Sequence, residues 1–183
     1  MAEHTIIRLG DPVLREVSRK VSTITTHTEK ILDDLAHTIY ADKGRAGLSA
    51  IQIGIPKRLI VMDCGNGLIE LINPRIIEKA GEQTGPEACL SIPGVVGIIT
   101  RAVYVKVETQ NRRGETVTIE ADDLLARCIQ HELDHLEGIL FIDYVDELYS
   151  ARSGKKLKPR DAHPILLQRK LIQKKGDNGV EQR

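Results

Sequence analysis

The sequence predicts an α+β domain, with antiparallel β-sheets around a central metal-binding helix and a helical tail at the C-terminus. Three observations predict it. Apolar runs in the middle of the chain are joined by short turns, which favours antiparallel pairing over crossover connections. Helical periodicity precedes those runs, near Thr28–Tyr40, and follows them, near Asp122–Gly138. The second helical stretch contains Gln130-His131-Glu132-Leu133-Asp134-His135, which has the spacing of a metal site.

In chain order, residues 5–25 read as an irregular arm with a turn at Gly10-Asp11-Pro12. From about Thr28 to Tyr40, the residues Ile31, Leu32, Leu35 and Ile39 form one helical stripe that stops near Gly44. Gly47–Gly54 is a run of small residues bracketed by glycines, a composition that suits close backbone approach or ordinary tight packing. Arg58–Asp63 reads as a buried strand, and the Cys64-Gly65-Asn66-Gly67 turn leads it into Leu68–Asn73. Ile76–Ala80 is a further candidate strand. Ala102–Gln110 alternates valines with polar residues, as a half-buried strand does, and turns at 111–114 into Thr116–Ala121. Gly85–Gly94, punctuated by proline and glycine at both ends, carries a thiol between these strands. Asp122 or Asp123 is expected to cap the second helix, and Gly138 to end it in a left-handed conformation.

On that helix His131 and His135 lie on the same face, about 6 Å apart, so both rings reach one ion at roughly 2.0–2.1 Å. Glu132 is turned about 100° from His131 and flanks the ion, where a general base for activated water belongs. Cys89 would complete a His₂Cys set with one open position, the mark of a catalytic rather than a structural site. Cys128 is a rival on the same stripe, but it lies about 10.5 Å from His135 along the axis, too far to share the ion. With Leu124 a turn earlier, it is expected to line a pocket beside the metal.

At 183 residues the chain suits one catalytic domain with a core of its own. Lys plus Arg equal Asp plus Glu at 26 each, so overall charge favours neither nucleic acid nor an acidic membrane. No apolar run reaches the roughly 18 residues of a spanning helix, and Met1–Thr5 lacks a secretory apolar region. Three cysteines, Cys64, Cys89 and Cys128, suit free thiols in a reducing cytoplasm. With no Trp and one Phe, little is available for stacking on bases.

Taken together, Gly47–Gly54, Glu87–Ser91 and His131–His135 resemble the three motifs of peptide deformylase, in order and spacing. The resemblance runs from about Gly10 to Tyr144 and includes the Gly-Asp-Pro-Val-Leu opening. It implies that Cys89, His131 and His135 hold one divalent metal ion, natively Fe²⁺, with Zn²⁺, Ni²⁺ or Co²⁺ able to replace it. Glu132 would be the acid/base, while Gln52 and the backbone N–H of Leu90 would form the oxyanion hole. Gly47 would pair with the peptide as an added strand, and Ala46, Glu87, Leu124, Arg127 and Cys128 would border the substrate. Glu87 and Arg101 would form an ion pair across the pocket floor that steadies the Cys89 segment. The implied reaction removes the formyl group from N-formylmethionyl nascent peptides and releases formate, in a monomeric enzyme of a bacterial-type cytosol with no membrane partner.

Departures from the commoner family pattern are Arg45 at a Gly, Ser49 at an Ala, Ile51 at the Pro of the first motif, and Ala88 at the Gly of the second. They bear on the shape of the cleft rather than on the chemical groups. Two other readings use the same residues. A zinc endopeptidase would take its third ligand downstream, from Asp143, Asp146 or Glu147. A non-enzymatic basic binding module would carry a merely polar helix.

The chain divides into a catalytic domain over 1–150 and a basic, partly helical tail over 151–183. That tail holds ten Lys and Arg against three acidic residues, a local excess of seven within a neutral total. Asp161 as cap and Pro164 at the start would open a helix through Ile165, Leu167, Leu171 and Ile172 to about Lys175. A ribosome contact is the functional expectation for it, and an apolar face packed on its own domain is the plainer one.

Overall fold

A computed structural model describes residues 2–170. Following a 3-10 turn at Pro12–Arg15, capped by the Asp11 side chain, the chain forms α1 (Thr26–Tyr40), β1 (Gly47–Ser49) and a 3-10 turn at Ala50–Ile53. Then come β2 (Leu59–Met62), β3 (Ile69–Ala80), β4 (Gln83–Cys89), β5 (Ile92–Arg101), β6 (Tyr104–Gln110) and β7 (Thr116–Asp122). The chain continues through α2 (Asp123–Leu136), a 3-10 turn at Phe141–Tyr144, β8 (Tyr149–Ser150) and α3 (Pro159–Leu166). All strand pairs are antiparallel: one sheet in the order β1-β2-β3-β6-β7, another in the order β4-β5-β8. The α+β class expected from the short turns is the class observed.

β2 explains why Arg58–Asp63 reads as a continuous apolar run. Leu59 and Val61 face a core shared with Leu32, Leu35 and Ile39 of α1. Ile60 and Met62 face a second core shared with Ala126, Ile129, Leu133 and Leu136 of α2. Each such fully buried side chain contributes about 1.5–3 kcal/mol of apolar burial. α2 thus lies on the five-stranded sheet by one stripe and turns His131, Glu132 and His135 the other way. A third core joins Ile92, Val95 and Ile99 of β5 to Phe141, Leu148 and Ala162.

Several sequence expectations change in detail. β3 is one strand where two were read, because Pro74 and Asn73 (φ 53°) sit at a bulge rather than at a break. The Gly85–Gly94 segment is a hairpin: β4 pairs with β5 from Gln83↔Arg101 to Cys89↔Ile92, leaving Leu90 and Ser91 as its two-residue turn. Asp122 occupies the cap position of α2, but its side chain makes no capping bond. Instead the Asp123 N–H donates to the Val103 carbonyl at 2.8 Å, and the Asp123 carbonyl accepts from Gln83 at 2.7 Å. Helix α3 starts at Pro159, earlier than Asp161 and Pro164 suggest, and Pro164 lies inside it. Leu167 is its C-cap and is exposed, while Ala162, Ile165 and Leu166 pack on the third core. The expected stretch through Leu171, Ile172 and Lys175 falls outside the described residues. Among the described residues no helix is long and apolar enough to cross a membrane.

Gly138 ends α2 as expected, at φ 66°, with the Ile139 N–H closing on the Asp134 carbonyl at 2.9 Å. A Cβ there would also collide with the backbone carbonyl of Arg15. Gly138→Ala should therefore cost about 1–3 kcal/mol, read as a lower denaturant midpoint at unchanged slope.

Candidate active site

The hairpin tip of β4–β5 and the outward face of α2 meet at three ligand-type side chains. Cys89 Sγ, His131 and His135 present one ligand atom each, all within 4.8 Å of one another. Cys89 Sγ lies 3.3 Å from His135 Nε2, and the two imidazole rings stand edge to face at 5.0 Å between centroids. Cys89 ends its strand, so the tight turn places both its thiol and the Leu90 N–H at the tip. The Ser91 N–H faces the Cys89 sulfur at 3.4 Å.

Glu132 is buried beside this group. Its Oε2 has no hydrogen-bond partner. Burial pushes its pKa up to about 7, against the opposing field of His131. Gln52 is oriented by Ser49, whose N–H and Oγ donate to Gln52 Oε1 at 3.0 and 2.9 Å. The amide nitrogen must therefore point the other way, and it lies 3.1 Å from Ser91 Oγ and 3.7 Å from Cys89 Sγ. In the sequence Ser49 is only a departure from the commoner Ala. Here it sets which end of Gln52 meets the cluster.

The expected ion pair forms. Arg101 donates to both oxygens of Glu87, at 3.0 and 2.9 Å, and Arg127 donates to Oε1 at 3.2 Å. His131 Nδ1 lies 3.2 Å from Glu87 Oε2, which leaves its Nε2 for the cluster. Burial alone would raise the Glu87 pKa, but His131 and Arg101 outweigh it and hold the carboxyl down at about 2. Arg101 reaches on to Asp134 at 2.6 Å and lies over the Tyr144 ring. Burial disfavours charge on His131, yet Cys89 and Glu87 favour it more strongly, so the place attracts a cation. At His135 burial prevails, and the ring is held neutral, as a metal ligand must be. A buried soft donor, two imidazoles and an unpartnered carboxylate oxygen fit one divalent ion with an acid/base beside it.

The other expected residues fall in two groups. Gly47 lies against the site, where a Cβ would come within 2.9 Å of both Cys128 Sγ and Glu132 Oε1. Its strand, β1, is the edge of the five-stranded sheet. The neighbouring Ala46 carbonyl accepts from Asp63 N at 2.8 Å. Leu124 is exposed at the start of α2. Glu87 and Arg127, by contrast, are buried with their polar atoms engaged inside the protein, Arg127 also on the Ile99 and Gln83 carbonyls. Asp134 and Ser91 also join this network, and although both lie inside the motifs, the sequence alone assigns neither a role. Arg8, from the irregular arm, donates to the Leu90 carbonyl. A cavity of about 870 Å³ opens elsewhere, between β3 and the far side of α2, and its lining includes Arg101, Asp134 and Tyr144 but none of the three ligand-type side chains.

A family profile described as polypeptide deformylase matches residues 3–151. This chain belongs to the polypeptide deformylase family. A peptide deformylase of Carboxydothermus hydrogenoformans is 50% identical over 155 residues, covering 85% of this chain and 100% of its own. The crystal structure of the Thermotoga maritima peptide deformylase superposes with a TM-score of 0.77 at 39% identity, over 80% of this chain and 99% of that one. A Synechococcus elongatus peptide deformylase, solved in complex with actinonin, superposes at 0.75 and 40% identity over 80% of each chain. Membership makes the chain a metal-dependent hydrolase acting on formylated peptides.

Because Glu87 fixes His131 and is itself fixed by Arg101, Arg101→Ala should weaken metal binding by about 10–100-fold, measured by chelator competition. Unchanged affinity would reduce the Glu87–Arg101 pair to a structural contact.

Proposed function

We propose that this deformylase removes the formyl group from N-formylmethionyl peptides using Cys89, His131 and His135 as metal ligands and Glu132 as acid/base. The observation that carries this reading is the buried, unpartnered Oε2 of Glu132 beside a compact Cys-His-His group. Iron(II) is the native ion we propose, since a thiolate ligand softens the site, with zinc, nickel or cobalt as substitutes. Such an ion supplies Lewis acidity, which acidifies water and polarises the formyl carbonyl.

The chain's own groups do the rest. Glu132, poised near neutrality, takes the proton of the attacking water and passes it to the leaving amine. The Gln52 amide and the Leu90 N–H donate to the oxygen that becomes negative, a contribution of about 10²–10³ in rate per donor. The peptide lies along the free edge of β1 as an added strand, with Gly47 giving its backbone room. Ala46, Leu124 and Cys128 border it, and Glu87 and Arg127 act from behind by holding His131 and the hairpin.

The endopeptidase alternative lacks support in its ligands. Asp143 is paired with Arg15, Asp146 with Arg169 and Glu147 with Lys156. Cys89→Ala should abolish both metal content and turnover of formyl-Met-Ala-Ser under anaerobic conditions; full activity in that variant would favour the endopeptidase. Glu132→Gln should keep the metal and lose about 10²–10⁴ in kcat, because an amide cannot carry the proton. Near-normal turnover in a metal-replete sample would falsify the acid/base role.

We further propose a monomer of the bacterial cytosol whose basic tail meets ribosomal phosphate. Support comes from the excess of seven positive charges over 151–183, with Lys155, Lys158 and Arg160 exposed. Since Leu157, Ala162 and Ile165 pack on the third core, charge reversal tests the idea more cleanly than truncation. Lys155→Glu, Lys158→Glu and Arg160→Glu together should weaken ribosome cosedimentation at low salt and flatten its salt dependence, with small-peptide turnover unchanged. Equal cosedimentation would leave a solvated tail.

A further inference from the structure

Two groups assigned to the oxygen that becomes negative sit on separate elements. Gln52 belongs to the 3-10 turn after β1, and Leu90 to the tip of the β4–β5 hairpin. That tip is weakly held by its own ladder. The register shifts between Glu87↔Gly97 and Cys89↔Ile92, so the last pair is not continuous with the rest. Two-residue hairpin loops favour turns with a positive φ at a central residue, because such turns match the strand twist. Among the described residues the non-glycine positions with positive φ are Asn73 and Asp123, so Leu90 and Ser91 lack that match.

The N-terminal arm reaches both elements within three residues. The Ile7 N–H donates to the Gln52 carbonyl at 2.8 Å, and the Leu9 N–H to the Ser91 carbonyl at 2.9 Å. Between them the Arg8 guanidinium donates to the Leu90 carbonyl. The flanks of this short stretch are anchored, Ile6 in the first core and Leu9 against the third. Arg8 itself is exposed, so replacing it opens no cavity.

The carbonyl that Arg8 holds is in a sensitive place. The peptide between Leu90 and Ser91 is the one that reverses when a turn changes type. Its N–H faces Cys89 Sγ at 3.4 Å, and its oxygen faces Arg8. Reversal would take that N–H away from the sulfur and re-aim the backbone on either side, the Leu90 N–H included. The Gln52 amide would feel the same change, since its nitrogen lies 3.1 Å from Ser91 Oγ.

We propose that Arg8 is a positioning residue for the reaction. Flanked by Ile7 and Leu9, it locks the hairpin turn so that the Leu90 N–H and the Gln52 amide converge on one oxygen. The effect on rate rests on the donor roles assigned under the proposed function, whereas the hold of the arm on the turn does not. Misplacement of a donor lowers the rate without weakening substrate binding, because the bond it makes strengthens only as charge develops.

The test compares the full chain with Arg8→Ala and Arg8→Lys, each loaded anaerobically with iron(II) and assayed on formyl-Met-Ala-Ser, with bound metal measured in the same samples. Amide hydrogen exchange is followed in peptides covering the turn and, as a control for global stability, in those covering α1. For Arg8→Ala we expect kcat per bound metal to fall about tenfold, part of what a whole donor contributes, at an unchanged KM. Exchange should quicken at the turn and stay the same in α1. Arg8→Lys, whose ammonium can still donate to the carbonyl, should recover most of both. Unchanged exchange at the turn in Arg8→Ala overturns the proposal, as does quickened exchange through α1 or a lysine variant as slow as the alanine one. Quickened exchange at the turn with a full kcat also overturns it, and does so through the donor roles of the proposed function rather than through the arm.

Discussion

The carboxylate of Glu87 sits where the three-stranded sheet meets α2, and it has three cationic or potentially cationic neighbours: Arg101 from β5, with Arg127 and His131 from the helix. Against the five-stranded sheet the same helix is held by apolar contact through Ala126, Ile129, Leu133 and Leu136. One side of α2 is thus an oil-like interface and the other an ionic one. The ligand cluster straddles the second, since Cys89 belongs to the hairpin and both histidines to the helix. A shift of the hairpin against the helix would pull the sulfur away from the imidazoles. Apolar packing alone tolerates small slides, whereas a bidentate guanidinium–carboxylate pair fixes distance and angle together. Buried charge of this sort is a poor source of net stability, because desolvation consumes most of the attraction. What it provides here is alignment.

Much of the fold and of the candidate site was legible because burial leaves periodic traces. The stripe of Ile31, Leu32, Leu35 and Ile39 marks α1, and the unbroken run Leu59–Met62 marks a strand covered on both faces. The histidines four residues apart locate the cluster through helical geometry alone. The β4–β5 hairpin was harder to see. Pro86 and Pro93 look like loop residues, yet Pro86 lies on the edge strand β4, where a missing N–H breaks no ladder, and Pro93 lies near the start of β5, ahead of its pairing with β8. Pro74 misled in a similar way by sitting at a bulge within β3.

Direction was the other thing the sequence could not convey. The family resemblance sets Glu87 and Arg127 at the border of the substrate, and the orientation of their side chains depends on partners brought from distant segments. Gln83, Ile99 and Arg101 supply those partners, and each lies at least 14 positions from the group it holds. Ser49 shows the opposite case. A hydroxyl in place of a methyl looks like drift within a small-residue run, yet it determines which end of the Gln52 amide faces the sulfur.

β1 is three residues long and stands at the border of its sheet, its outer N–H and C=O groups unpaired by any strand among the described residues. Long borders of that kind invite a second copy of the chain to add on, and then a third. Three residues offer too few main-chain bonds to offset the entropy of bringing two folded molecules together. The same brevity leaves room for a short extended peptide that gains further hold from neighbouring groups. A border this short can remain open to a ligand without becoming a seed for polymerisation.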